Sequence, residues 1–170
     1  MANRISLREF QRDLASRLQT AARSAAAASL LGIQSGADFW LLTLLDAGEI
    51  IPLPTLTPVP LTKSWFCGVA NIRGNLYSVI DFSAFGGGKE TPHNVDSRLL
   101  LLGAKYGLNT ALLINRTLGL RHTEQLESSQ APADAPAWVG TNFRDQDGRM
   151  WKELELAQLV EQPDFLQVGV

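Results

Sequence analysis

Short apolar runs separated by Gly, Asn, Asp and Pro make up the chain from residue 28 onward, and helical periodicity largely disappears there. Runs of about four to eight apolar or β-branched residues bounded by turn residues are typical of β-strands. Ten segments fit this description: 30–34, 39–44, 49–53, 69–73, 76–82, 98–102, 109–114, 118–121, 138–143 and 149–156. The pattern predicts a mainly β fold.

Turn residues and prolines refine this prediction. Gly74-Asn75 is expected to close one hairpin, and Asp147-Gly148, with a type I′ signature, is expected to close another. Residues 52–60 contain four prolines, which have no backbone N–H to donate. We therefore expect this stretch at a sheet edge or as an extended connector rather than as a central strand.

The first 27 residues have a different character. Ser6 and Glu9 form a capping box at the start of a predicted helix over 6–27, whose apolar residues lie along one face. Residues 1–27 carry five arginines and two acidic residues, a local net charge of +3. This helix either packs one stripe on the core or docks an acidic or apolar partner. The predicted organisation has three parts: a helical extension at 1–27, a β domain at 28–163 and a C-terminal tail at 164–170.

Charge and composition argue against several classes of protein. The chain has 15 Lys and Arg against 17 Asp and Glu, so its formal net charge of -2 gives no general attraction to nucleic acid. The apolar runs fall short of the roughly 18 residues that span a bilayer, so direct membrane insertion is not expected. A single cysteine and no export signal favour a cytoplasmic location.

Few residues in the sequence are candidates for metal binding, catalysis or phosphate binding. Cys67, His93 and His122 are too widely spaced to predict a metal site, and we expect no cofactor. Cys67 paired with a histidine as thiol nucleophile and base is the one enzymatic alternative, although its apolar neighbours favour a core role. The Gly86-Gly87-Gly88-Lys89 segment lacks the first glycine and the following hydroxyl residue of a phosphate-binding loop, which predicts a plain flexible loop.

Four polar residues near strand ends are not explained by core packing: Glu49, Asn71, Arg73 and Asp81. The sequence places no two acids in a common cleft, so it does not predict acid–base catalysis. One role open to Arg73 is an ion pair with Asp81. Asn71 and Asp81 have the alternative role of accepting hydrogen bonds from local backbone N–H groups.

Residues 68–82 read GVANIRGNLYSVIDF. They resemble the central signature of the CheW-like chemotaxis adaptor family, which is G-V-x-N-L-R-G, two variable positions and P-V-I-D-L. The resemblance extends over most of 28–163. The N-terminal extension and the WxxGVAN sequence of residues 65–71 are most similar to those of the PilI-type members, which serve twitching motility. Ser78 replaces the family's proline, and Asn115 replaces its usual aspartate.

This resemblance implies two interlocked five-stranded SH3-like β-barrels that enclose a hydrophobic groove, with few short helices. It also implies a non-enzymatic adaptor without a cofactor. Such an adaptor joins the cytoplasmic tip of a methyl-accepting chemoreceptor to the regulatory domain of a CheA-type histidine kinase, in receptor arrays at the inner face of the membrane. In the PilI-type setting the pathway controls the type IV pilus.

The resemblance further implies which residues contact partners. Arg73 is the first candidate for a kinase contact, and Asn71 and Gly74 shape its turn. The remaining candidates are expected to border the receptor or kinase surfaces: Glu49, Gly68 and Val69. Two alternatives stay open, namely a competing CheW-like module that inhibits signalling and a small thiol enzyme centred on Cys67.

Overall fold

The computed structural model describes residues 29–170, which form eleven strands, three short α-helices and two 3₁₀ turns. The strands are β1 (Ser29–Ser35), β2 (Asp38–Thr43), β3 (Ala47–Pro52), β4 (Phe66–Ile72), β5 (Asn75–Asp81), β6 (Arg98–Leu102), β7 (Thr110–Ile114), β8 (Arg116–His122), β9 (Glu127–Ser129), β10 (Val139–Arg144) and β11 (Met150–Leu154). The helices are α1 (Phe82–Phe85), α2 (Leu156–Val160) and α3 (Pro163–Leu166), and the 3₁₀ turns are Ala104–Tyr106 and Thr123–Gln125. The helix predicted over 6–27 lies outside the described residues.

The strands form two sheets. Sheet A has the order β8-β1-β2-β11-β10-β9, and sheet B has the order β3-β6-β7-β5-β4. The chain leaves sheet A after β2, builds all of sheet B and returns to sheet A at β8, so the two units are interlocked. The predicted mainly β, two-unit fold is confirmed. Sheet A has six strands rather than the expected five because the short strand β9 pairs with the outer side of β10.

Sheet A must curl on itself. Its edge strands, β8 and β9, are consecutive in the chain and are joined by residues 123–126 alone. In a flat six-stranded sheet the two edges would lie about 24 Å apart, whereas a connection of this length reaches at most about 18 Å. The short connection therefore requires barrel-like curvature, as the resemblance implies.

A central core holds the two sheets together. It contains buried residues of both sheets, of the three helices and of the turn before β10: Leu31, Ile33, Trp40, Leu42, Phe66, Ile80, Phe82, Leu100, Leu102, Leu112, Ile114, Trp138, Leu154, Leu156, Leu159 and Phe165. Successive side chains of a strand point to opposite faces. In β6, Leu100 and Leu102 face this central core, while Leu99 and Leu101 face a separate core inside sheet B. Burial on both faces explains why residues 99–102 of β6 are an unbroken run of leucines.

Both predicted hairpins exist, but the turns differ from those expected. In the β4–β5 hairpin Asn75 already pairs with Ile72, so the two turn residues are Arg73 and Gly74 rather than Gly74 and Asn75. Both have positive φ, 53° and 85°, as a type I′ turn requires.

The β10–β11 loop is not the type I′ turn that was predicted. The Asp145 N–H bonds to the Arg149 carbonyl, and the Gly148 N–H bonds to the Asp145 carbonyl. Gly148 has φ 79° and Asp147 does not have a positive φ, which makes this a three-residue loop with a bulge. The Asp145 carboxylate fixes the loop because it accepts from the backbone of Asp147 and Arg149 and from the Trp151 indole, at 2.9 to 3.0 Å.

The proline-rich stretch runs along the surface as an extended connector between β3 and β4. Its residue Thr57 bridges to Val69 of β4. Further along, the Lys63 N–H bonds to the Val168 carbonyl, and the Val170 N–H bonds to the Leu61 carbonyl. The residues predicted as a C-terminal tail thus include part of α3 and lie against residues 61–63.

Asp46 anchors the start of β3, which follows the crossover between the sheets. Its carboxylate accepts hydrogen bonds from Thr43 (2.6 Å) and Tyr106 (2.5 Å) and pairs with Lys105. Burial raises the pKa of Asp46, but the hydrogen bonds from Lys105, Thr43 and Tyr106 outweigh it and leave the pKa below its ordinary value. This network fixes the strand that carries Glu49.

Candidate partner-binding site

The β4–β5 turn presents Arg73 at one end of sheet B. The Asn71 side chain accepts a hydrogen bond from the Gly74 N–H (2.9 Å), which ties the turn to the end of β4. Positive φ is costly for an arginine, so the turn holds Arg73 in a backbone conformation that a free chain seldom adopts. Asn71 and Gly74 thus shape the turn that carries Arg73.

Arg73 forms a bidentate ion pair with Glu49. The distances are 2.7 Å from Nη1 to Oε2 and 2.5 Å from Nη2 to Oε1. Glu49 lies in the part of β3 where the register against β6 shifts, and such a bulge re-aims a side chain. The hydrogen bond from Arg73 lowers the pKa of Glu49, and the same bond raises the pKa of Arg73. Two residues that the sequence predicts separately are thus in direct contact.

The ion pair joins the two edges of sheet B. β3 and β4 are at opposite ends of the strand order, yet Glu49 of β3 reaches the turn at the end of β4. The pair therefore links the edge strands β3 and β4 where this sheet comes close to closing into a barrel. The Arg73 side chain is 72% exposed and that of Glu49 is 42% exposed, so a partner can reach both.

The alternative pairing of Arg73 with Asp81 is wrong. Asp81 is buried at 3% exposure, and its carboxylate accepts from the backbone N–H groups of Ser83, Ala84 and Thr91 and from the Thr91 hydroxyl, at 2.6 to 3.2 Å. It caps α1 and fixes the loop that follows this helix. Asp81 is therefore a structural residue, in agreement with the alternative that it satisfies local N–H groups.

Gly68 and Val69 lie in β4, away from the turn. The Val69 N–H and carbonyl both bond to Thr57, at 2.9 and 2.8 Å, so the connector covers this part of the strand edge. Gly68 has φ 116°, and a Cβ there would overlap the Thr57 carbonyl. The structure thus gives Gly68 and Val69 a backbone role, while a partner contact by either residue stays a prediction.

Leu76 was missed by sequence reasoning. It is the second residue of β5, it pairs with Asn71, and it is 61% exposed. Exposed leucines are common singly, but this one lies beside the turn that carries Arg73. The sequence does not single out Leu76, because it is one of several apolar residues in the segment 68–82.

Cys67 lines a cavity of about 460 Å³ together with His93. Burial raises the pKa of the Cys67 thiol to about 11, and the nearby charge of Asp81 adds to the effect. A catalytic cysteine needs the opposite shift, because the thiolate is the nucleophile. The surroundings of Cys67 therefore argue against the thiol-enzyme alternative.

We expect Cys67 to react slowly with iodoacetamide. A pKa near 11 instead of 9.0 leaves about a hundredfold less thiolate at pH 7.5. Labelling of the folded chain, followed by mass spectrometry, should be slower by at least this factor than labelling in 6 M urea, and it should accelerate as the pH rises. Rapid labelling of the folded chain at neutral pH would contradict this prediction and restore the thiol enzyme as a candidate.

Within 29–170 no three His, Cys, Asp or Glu side chains lie close enough to share a metal ion. In the same range no helix is both long and apolar enough to cross a bilayer.

The chain matches a known protein family over most of its length. Residues 29–164 match the family described as CheW-like domain, and the chain belongs to this family. It is 28% identical over 146 residues to Protein PilI of Pseudomonas aeruginosa, which covers 82% of this chain and 79% of PilI. The resemblance stated from residues 68–82 is confirmed.

A solved structure shows the same fold. The crystal structure of scaffolding protein TtCheW from Thermoanaerobacter tengcongensis matches with a TM-score of 0.65 at 18% sequence identity. The match covers 81% of this chain and 94% of the TtCheW chain. At this identity the likeness concerns the arrangement of the sheets.

Proposed function

We propose that this protein is a non-enzymatic adaptor that couples the cytoplasmic tip of a methyl-accepting chemoreceptor to the regulatory domain of a CheA-type histidine kinase. Its place of action is the cytoplasm, in receptor arrays at the inner face of the membrane. Its pathway is the one that controls twitching motility through the type IV pilus. The similarity to PilI supports this choice of pathway.

The observation that carries the proposal is the exposed Arg73–Glu49 pair. It lies within the sequence segment that is most similar to the CheW-like adaptors, and a strained turn holds it in place. Exposed ion pairs contribute little to folding stability. A fixed and exposed arginine is, however, well suited to recognise a partner, because arginine is enriched among the residues that dominate binding.

Edge strands give the same region a second means of attachment. β3 pairs with β6 alone among the described strands, and β4 is covered on its outer side at Thr57. An unpaired strand edge is a template for another strand. The partner site thus combines one charged anchor, the exposed Leu76 and the neighbouring edge of β3.

We expect Arg73→Ala to weaken binding of the kinase regulatory domain about tenfold, because it removes a charged anchor from the interface. Isothermal titration calorimetry at two salt concentrations measures this effect, and the loss should be larger at low salt. The melting temperature should change little, since the side chain is exposed. Unchanged affinity in a folded variant would remove Arg73 from the interface.

Two matched variants make the result specific. Arg116→Ala removes an exposed arginine on β8, whose Nε donates to Gln34, and should leave the affinity unchanged. Glu49→Ala tests positioning, because it frees Arg73 without removing it. If Glu49→Ala weakens binding less than Arg73→Ala does, the arginine contacts the kinase directly.

A reconstituted array separates the adaptor from a competing module. Receptor, kinase and this protein are mixed, and the autophosphorylation rate of the kinase is followed. An adaptor raises the kinase activity in the presence of receptor, whereas a competing module lowers it. A fall in activity would contradict the proposed coupling while leaving kinase binding intact.

A further inference from the structure

Two carboxylates at the end of β11 form a close pair of like charges. A Cβ at Gly140 of β10 would lie 2.9 Å from Glu153 Oε2 and 3.0 Å from Glu155 Oε1, so both side chains lie over this glycine. Within residues 29–170 neither carboxylate forms an ion pair. Burial raises the pKa of Glu155, and the negative charges of Glu153 and Asp46 raise it further. A cationic side chain beside the pair would relieve this repulsion.

An exposed leucine lies next to the carboxylate pair. Leu45 belongs to the turn over 43–46 that follows β2, and it is 68% exposed. β11 runs parallel to β2 with Glu153 level with Leu41, so Glu155 comes level with the start of this turn. We call Leu45, Glu153 and Glu155 the acidic surface, because it joins one exposed apolar side chain to two unpaired negative charges of the described chain.

The chain enters sheet A beside the acidic surface. Residues 1–28 precede Ser29, the first residue of β1, and β1 pairs with β2 so that Leu30 is level with Thr43. β1 and β11 are the two neighbours of β2, so they lie about 10 Å apart. Residues 17–28 would span about 18 Å as a helix. This length is enough to cross the end of β2 and reach the carboxylate pair.

The sequence that precedes Ser29 complements the acidic surface in charge and in apolar pattern. Residues 1–27 have a net charge of +3, and the apolar face of the helix predicted there includes Leu14 and Ala21. Arg17 borders this face, because it lies three residues after Leu14 and four before Ala21. The face can cover the exposed leucine while Arg17 meets the carboxylate pair. A helix of this length is only marginally stable alone in water, so an apolar face needs a surface to pack on.

We propose that residues 6–27 of this chain dock as a helix on the acidic surface, with their apolar face over Leu45 and with Arg17 beside the two carboxylates. Of the two roles that the sequence leaves open for this helix, the proposal assigns packing on the chain's own β domain rather than presentation to a partner. It is independent of the adaptor function, because the acidic surface shares no residue with the proposed kinase-binding site.

Hydrogen exchange of the full chain, followed by mass spectrometry, tests the proposal. The amides of residues 6–27 should exchange at least about tenfold more slowly than those of an unstructured chain. Glu155→Lys should accelerate their exchange about three- to tenfold, because it replaces an attraction by a repulsion. Glu127→Lys, the same change at an exposed carboxylate of β9, should have no effect. Leu45→Ser should also accelerate the exchange, whereas Leu166→Ser, at another exposed leucine, should not.

A charge swap makes the test specific to the proposed contact. Arg17→Glu alone should accelerate the exchange of residues 6–27, and its combination with Glu155→Lys should restore most of the protection. Protection should not change over about a tenfold range of protein concentration, because docking within one chain does not depend on a second copy. The proposal fails if residues 6–27 exchange like an unstructured chain, if the double variant exchanges as fast as the single ones, if Glu127→Lys acts like Glu155→Lys, or if protection rises with concentration.

Discussion

Replacing Gly68 by alanine is expected to lower the free energy of unfolding by about 4 kcal/mol, because strain in the backbone and steric overlap act at the same residue. Gly68 has φ 116°, which L side chains rarely adopt. Its Cβ would overlap the Thr57 carbonyl oxygen and lie 2.8 Å from the Thr57 carbonyl carbon. The connector would have to move away from β4, with loss of its two hydrogen bonds to Val69. Urea unfolding followed by tryptophan fluorescence measures the loss.

Gly107→Ala is the matched control. Gly107 also has positive φ, 63°, but a Cβ there meets no atom within 4 Å. We therefore expect a loss of only about 1 kcal/mol, the cost of the left-handed conformation alone. Equal losses for the two variants would show that Thr57 moves away from Gly68 without cost, and that the connector does not protect the edge of β4.

Replacing Asp81 by alanine is expected to cost about 4 kcal/mol of folding stability, because it leaves several buried donors without an acceptor. The carboxylate accepts two hydrogen bonds from the start of α1 and two from Thr91. Thr91 is itself 4% exposed, so water does not readily replace the lost acceptor. The same urea measurement gives the change.

Two other variants test this explanation of Asp81. Asp96→Ala removes an exposed carboxylate from the same loop as Thr91 and should change stability by less than about 0.5 kcal/mol. Asp81→Asn keeps the shape but turns an NH₂ group toward a donor, so its stability should fall between those of the wild type and Asp81→Ala. A loss below about 1 kcal/mol for Asp81→Ala would contradict the prediction, because it would mean that the freed donors find other acceptors.

The sequence predicts a strand well where at least one face of that strand is buried. The leucines of β6 were recognised because a short apolar run bounded by turn residues is consistent with a buried strand, and its length is that of a strand rather than a helix. β9 was missed because its three residues, Glu127–Ser129, are all exposed and carry no apolar pattern. Helix α1 was missed because four residues are too few to show a helical period.

The sequence pointed to Arg73 and Glu49 separately, but it did not predict that the two side chains contact each other. The motif drew attention to Arg73, and its turn could be anticipated from Gly74. The partner of Arg73 could not, because Glu49 is 24 residues away and becomes its neighbour only when the edges of sheet B approach each other. Local reasoning favoured Asp81, which is nearer in sequence but is buried.

The structure also explains the two positions at which this chain departs from the family pattern, Ser78 and Asn115. The Ser78 N–H donates to the Asn109 carbonyl at 2.9 Å, a bond that the family's proline could not make. Asn115 accepts from Gly36 and, through its own N–H, bonds to the Gln34 carbonyl at 3.0 Å. Both positions thus have defined roles in this chain, and Asn115 joins the end of β7 to the β1–β2 turn.

The insertion of sheet B between β2 and β8 sets an order for folding. The strands of sheet B all lie between residues 47 and 114, whereas β1 pairs with β8 so that Ser29 faces His122, and β2 pairs with β11 so that Trp40 faces Lys152. Closing a long loop costs more chain entropy than closing a short one, and folding slows as contacts become less local. We therefore expect sheet B to form early and to bring β2 and β8 together before sheet A is completed.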